Sequence, residues 1–211
     1  MIYRKKVPPA DVDLSAMLLK NGWRKIKTPK NLFIAVMLSI PFMAMNFALT
    51  MLLVPSIRAF LAELLEQFEI SGLVFAVDIT LIAYIFAIFG FLVAHELLHA
   101  VFIPNFIKSR KTFWGITPYG GFVTTAEEMS KSRFILISIL PFVVLSIIVP
   151  TVLYQVSLFG GFIVFLSVLN ALSSAVDMLN ALLIIIQVPN GSRIVPSLSL
   201  FSPPTASHSR R

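Results

Sequence analysis

Two of the chain's three histidines, His95 and His99, stand four residues apart with Glu96 beside the first. A helix brings residues i and i+4 onto one face. Two imidazoles on one face can grip one metal ion. A carboxylate one position on can lean toward the ion's open side and take a proton from a water there. His95-Glu96-Leu97-Leu98-His99 thus reads as the H-E-x-x-H arrangement of zinc peptidases, with His95 and His99 as ligands and Glu96 as base. It lies near the end of an apolar run, residues 73–103. Ionisable groups at membrane depth are expensive and mark functional sites. The bland alternative is a fortuitous polar patch at a helix end.

Two histidines do not complete a catalytic zinc site, which usually has three protein ligands and a water. The carboxylates to weigh are Asp78, Glu127, Glu128 and Asp177. Asp78 precedes His95 by seventeen residues, about 26 Å along a continuous helix, and is too far. Glu127 and Glu128 sit on the correct side of the membrane but too shallow. Asp177 lies in a later apolar run at a depth that agrees with the histidines to within several Å at about 1.5 Å per residue. A divalent ion with two neutral imidazoles, Asp177 and Glu96 also sums to zero charge, which suits an apolar interior. Around Asp177 run Ser167, Asn170, Ser173, Ser174 and Asn180, suitable for orienting a carboxylate. Asn170, two turns before Asp177, is a candidate to point at the reacting carbonyl. The competing reading of this stripe is helix–helix packing through small polar residues. Zn²⁺ is the expected ion, although Fe²⁺ or Co²⁺ fits the same ligands.

The elements that must position these groups are membrane spans. Of the 211 residues 57% are hydrophobic and 13% charged, with mean hydropathy +0.90. A soluble domain carries about twice that share of charge. The expected fold is an all-α multi-pass membrane protein with four spans, residues 32–54, 73–103, 134–154 and 162–188. Pro41 kinks the first, and Pro141 lies in the third. Asn46 and Thr50 share a face that can bond a neighbouring helix. Residues 55–72 carry Glu63, Glu66 and Glu69 and read as an interfacial helix. Between spans two and three, residues 113–125 mix β-favouring types with Gly120-Gly121, so a small hairpin is expected there. Beside a peptidase site, its edge could hold an extended substrate by β-augmentation.

The ends bound the rest. Residues 1–30 form a basic segment in which 14–23 is either a surface helix, with Trp23 at headgroup level, or a loose tail. Residues 31–188 form one membrane domain. Residues 189–211 are Pro/Ser-rich and expected to be a disordered tail containing a solvated His208. The N-terminus does not read as a cleaved signal. The charge of +7 lies beside the apolar runs, which argues for lipid headgroups and against nucleic acid. By the positive-inside rule both ends are cytoplasmic, in the cell membrane. There is no cysteine, which excludes disulfides, thiolate ligands and a cysteine nucleophile.

The His95–His99 motif, the run Pro118-Tyr119-Gly120-Gly121-Phe122-Val123, and Asn170 with Asp177 in a later span together resemble the site-2 protease class of intramembrane metalloproteases. The compact four-span chain, with Val188-Pro189-Asn190-Gly191-Ser192 after the Asn/Asp helix, is more closely similar to a bacterial family of zincin membrane peptidases of unknown function. The resemblance implies zinc on His95, His99 and Asp177, with Glu96 as base. It places Asn170, Ser174, Gly120 and Gly121 around the ion or substrate. It implies a zinc-dependent endopeptidase cutting in or near the membrane segments of protein or peptide substrates. Here Asp177 precedes Met178 where that class usually has glycine. Two other classes compete. A metal-stabilised membrane scaffold or assembly factor would need no Glu96. A metal transporter would need polar groups across the whole membrane, and these gather near one side.

Overall fold

The computed structural model describes residues 1–66, 79–117 and 120–204. Asp78, Glu69, Pro118, Tyr119 and His208 lie outside the described residues. Among the described residues, four helical runs are long and apolar enough to cross a membrane: Leu32–Leu53, Ile82–Val101, Lys131–Gln155 and Gly161–Gln187. Helix α1 is Val12–Lys20, α2 is Leu32–Leu53, α3 is Pro55–Glu66 and α4 is Ile79–Val101. The third run is α5 (Lys131–Val143), a π turn (Val144–Ile148) and α6 (Val149–Gln155). The fourth is α7 (Gly161–Ser173) and α8 (Ala175–Gln187). Side chains supply the missing carbonyl partners at helix starts. Asp11 accepts from Leu14 N (2.9 Å), Asn31 from Ile34 N (2.9 Å) and Ser130 from Arg133 N (3.3 Å).

Two of the expected spans are not continuous α-helix. Pro150 has no N–H for the Ser146 carbonyl and its ring crowds that group. The π turn just before it widens the helix there. Between α7 and α8 the path breaks at Ser174 (φ −66, ψ −3). Asn46 of α2 donates to the Ala171 carbonyl at 2.9 Å, beside this break. Thr50 instead bonds its own helix at the Asn46 carbonyl (2.9 Å).

The strands all attach at one end of the bundle. The expected hairpin is present as β3 (Thr112–Thr117) and β4 (Gly120–Thr125), antiparallel with Trp114 opposite Val123. β1 (Ile2–Tyr3) adds to β3 in parallel. This passage requires Gly115, since a Cβ there would collide with the Arg4 carbonyl. A second sheet runs β2-β7-β6-β5, from Arg24–Lys25, Leu200–Phe201, Arg193–Val195 and Met129–Ser130. The two sheets go beyond the single hairpin expected of an otherwise all-α chain.

The disordered-tail expectation is therefore corrected for residues 189–204; residues 205–211 lie outside the described residues. Ile194, Val195 and Leu200 are essentially fully buried, and the serines and prolines make the turn between them. Pro196 opens a 3₁₀ turn and Ser199 takes φ 49. Leu18 of α1 packs on Val195 and Leu200, flanked by Leu14 and Trp23. Ile26, Ile184, Val188, Ile194 and Phe201 make the neighbouring cluster. The basic segment and the C-terminal residues thus share one core at the bundle's end. Ile194→Ala should destabilise it by about 2–5 kcal/mol, seen as a lowered thermal-unfolding midpoint and faster proteolysis after Lys20 and Lys27 in detergent.

Candidate metal centre

The last two turns of α4 put His95 and His99 on one face, their rings edge-to-face with centroids 5.0 Å apart. The first turn of α8 brings Asp177 against both. Its Oδ2 lies 3.3 Å from His95 Nε2 and 3.5 Å from His99 Nε2. Among the described residues these three form the group of metal-ligating side chains, with ligand atoms all within 4.8 Å of one another. Donors on a tetrahedral zinc at about 2.0–2.1 Å stand roughly 3.3 Å apart. The Asp–His separations match that edge.

Each histidine's other nitrogen is held. His99 Nδ1 lies 2.9 Å from the Ile137 carbonyl on α5. A carbonyl only accepts, so this nitrogen carries the proton and Nε2 presents its lone pair. The acceptor is free because residue 141, four positions on, is proline. Pro141 has no N–H to close the helical bond to Ile137. His95 Nδ1 lies 2.8 Å from Asn170 Oδ1. The Asn170 amide nitrogen donates to the Pro141 carbonyl (3.0 Å) and to Ser146 Oγ (2.8 Å). Ser146 in turn donates to the Ser167 carbonyl (2.9 Å). That chain fixes which end of the amide faces His95, so His95 too donates through Nδ1 and offers Nε2. Asn170 on α7 and Asp177 on α8 clasp the two nitrogens of one imidazole.

Glu96 points to the neighbouring strand. Its Oε2 accepts from the Val123 N–H of β4 at 3.2 Å. Gly121 lets the strand come this near, because a Cβ there would lie 3.0 Å from Glu96 Cγ. At the hairpin's base Ser109 Oγ donates to Glu127 Oε1 (2.6 Å), and the buried Thr112 and Thr125 hydroxyls bond each other at 2.8 Å. Glu96, His99 and Asp177 line a cavity of about 360 Å³. Its walls include Val123 and Thr125 of β4, Asn180 and Ile184 of α8, and Ile194 and Ser199 of the C-terminal segment.

The sequence profile of the family described as "Putative zincin peptidase" matches residues 88–193, half of the 211-residue chain. The chain belongs to this family. No curated protein and no solved structure matches it. The matched stretch holds His95, Glu96, His99, the hairpin, Asn170 and Asp177. Membership of the zincin family implies a metallopeptidase and zinc, and the residues present fit that ion. Three donors converge at ligand spacing, and both imidazoles are locked with Nε2 turned to it.

The other expected site residues divide. Asn170 lies outside the cavity wall; its oxygen and both amide hydrogens are used inside the bundle. Ser174 stands at the α7/α8 break, buried, its hydroxyl without a partner among the described residues and outside the cavity wall. Gly120 pairs with Thr117 at the hairpin's tip, and Gly121 touches Glu96. Glu127 is engaged by Ser109, and Glu128 is exposed. The role of Pro141 was visible only as an in-span proline, since nothing in the spacing pairs residue 137 with residue 99. Replacing the partner of a metal-bound imidazole typically lowers metal affinity about 10–100-fold, which is the loss expected for Asn170→Ala. Pro141→Ala, which returns an N–H to Ile137, should weaken zinc about 3–10-fold by that same competition for His99's acceptor. Competitive zinc titration against a chromophoric chelator measures both.

Proposed function

We propose that this chain is a zinc-dependent endopeptidase of the membrane, cutting polypeptides in or near their membrane segments. The observation that carries the reading is the convergence of His95, His99 and Asp177 at ligand spacing, with Glu96, His99 and Asp177 bordering one cavity. Zinc on these three side chains would polarise a scissile carbonyl and acidify a water. Glu96 is placed beside that position to take the water's proton and pass it to the leaving amine. The Val123 N–H holds the carboxylate in that orientation. A site with Glu96 against a cavity favours catalysis over a structural metal scaffold, which uses a closed ligand set.

The surroundings support a membrane substrate. The long helices present exposed apolar side chains, among them Phe33, Leu38, Phe86 and Ile186, as a lipid-facing surface does. His95 lies six residues from the end of α4, roughly 9 Å below the bundle's end. Bonds near the end of a substrate span are therefore the reachable ones, and a substrate helix must unwind, because a helical amide is tied into its own hydrogen bonds. The sheet end carries Lys5, Lys6, Lys27, Lys108, Arg110 and Arg133, and the far end carries Glu63 and Glu66. That polarity supports a cytoplasmic sheet end with both ends of the chain on that side.

The strand edge supplies the grip. Val123 N–H points away from β3, to Glu96, while Ala126 N–H returns to the Lys111 carbonyl at 3.0 Å. By the two-residue period, the backbone groups of Gly121, Val123 and Thr125 turn away from β3 to one side, where Val123 and Thr125 line the cavity and the Val123 N–H is taken by Glu96. An extended substrate can pair there. Glu96→Gln should retain about one zinc per chain and lose hydrolysis of a membrane-tethered reporter by 10²-fold or more. Asp177→Ala should lose both zinc and hydrolysis. Full activity in the Glu96 variant would remove the mechanism.

A further inference from the structure

An extended polypeptide carries hydrogen-bonding groups along both of its edges, and β4 can serve only one. The other edge must find partners on the opposite wall of the cavity, which α8 and the C-terminal turn provide. On α8, Asn180 lines the cavity together with Asp177. The two are three residues apart, neighbours on one helix face with Cβ atoms about 5–6 Å apart. Asn180 is half-buried. Its carboxamide has no hydrogen-bond partner among the described residues. Two other amides of this bundle are engaged inside it: Asn46 donates to the Ala171 carbonyl, its oxygen buried without a partner among the described residues, and Asn170 is used at all three positions. An amide turned unbonded onto a cavity beside the ligand cluster has both halves available for a guest.

We propose that Asn180 binds the backbone of the substrate residue lying across the centre. In an extended strand the N–H and C=O of one residue point to the same side. A carboxamide matches them, its oxygen accepting from the N–H and its NH₂ donating to the C=O. The Val123 carbonyl and the backbone of Gly121 and Thr125 would hold one edge of the substrate and Asn180 the other. The substrate class that follows is a main chain already drawn out of its helix, since a helical residue has neither group free. This inference rests on the peptidase reading and adds to it a residue that does not touch the ion.

The test uses the zinc-loaded full chain in detergent and two probes. Acetohydroxamate carries a zinc-chelating group and no peptide backbone. An N-acetyl-dipeptide hydroxamate carries the same group on two residues of main chain. Wild type should bind the dipeptide probe at least about tenfold more tightly, and Asn180→Ala and Asn180→Leu should each lose about tenfold for that probe alone, as for two lost hydrogen bonds. Acetohydroxamate affinity and zinc content should stay unchanged, which also shows that the variants are folded; the leucine variant keeps the side-chain volume. Unchanged dipeptide affinity in both variants overturns the assignment. So does an equal loss for both probes, which would put Asn180 on the ion site instead. If wild type loaded with one zinc binds neither probe, the open coordination position is missing, and the peptidase reading falls together with this one.

Discussion

A histidine presents Nε2 to an ion only if its Nδ1 proton has an acceptor. Among closely packed apolar helices water is scarce and helix carbonyls are already taken by their own N–H groups. The acceptor has to be made, and one residue makes it. Pro141 withholds the N–H that would have closed on Ile137, and His99 uses the carbonyl so released. The Pro141 carbonyl receives the Asn170 amide, which orients the oxygen that holds His95. Both outer bonds of the histidine pair thus lead to the same turn of α5. A proline that weakens a soluble helix here supplies the polarity that an apolar bundle otherwise lacks.

Much of this centre was legible in the chain. The i, i+4 histidines follow from helical period alone, and Asp177 from depth and charge. The four apolar runs coincide with the four long helical runs to within a few residues, apart from the start of the second, which lies outside the described residues. For Asn170 the sequence left two places open, around the ion or at the substrate, because depth places a residue without aiming it; the structure sets it against His95. A side chain two turns from Asp177 can face a substrate or the far nitrogen of an imidazole. The break at Ser174 and the Ser146 hydroxyl decide between these, and neither has a local signature. The Ile137–His99 bond joins residues 38 apart through a missing hydrogen, which no periodicity reveals.

Composition misled at the C-terminal end. Residues 189–204 are rich in serine and proline, and that weight hid the pairs Ile194-Val195 and Leu200-Phe201 separated by a turn. Two short apolar pairs around Pro196 and Ser199 are a hairpin pattern. They are buried because strands from residues 24–25 and 129–130 complete the sheet around them. The glycines of the first hairpin were read correctly as turn chemistry. Gly121 has a second duty that only the structure displays, because what fills the space of its absent Cβ is Glu96.

The sheet at the bundle's end ties Arg24 to Phe201 and Lys25 to Leu200. Those partners come from opposite sides of the helical bundle in the sequence, one before α2 and the other after α8. The helices that carry His95, His99 and Asp177 all precede Ile194 and Ser199, which line the cavity beside them. In order of synthesis the cluster of metal-ligating side chains is therefore complete before the wall of that cavity is, and the segment after α8 acts as its closing stitch.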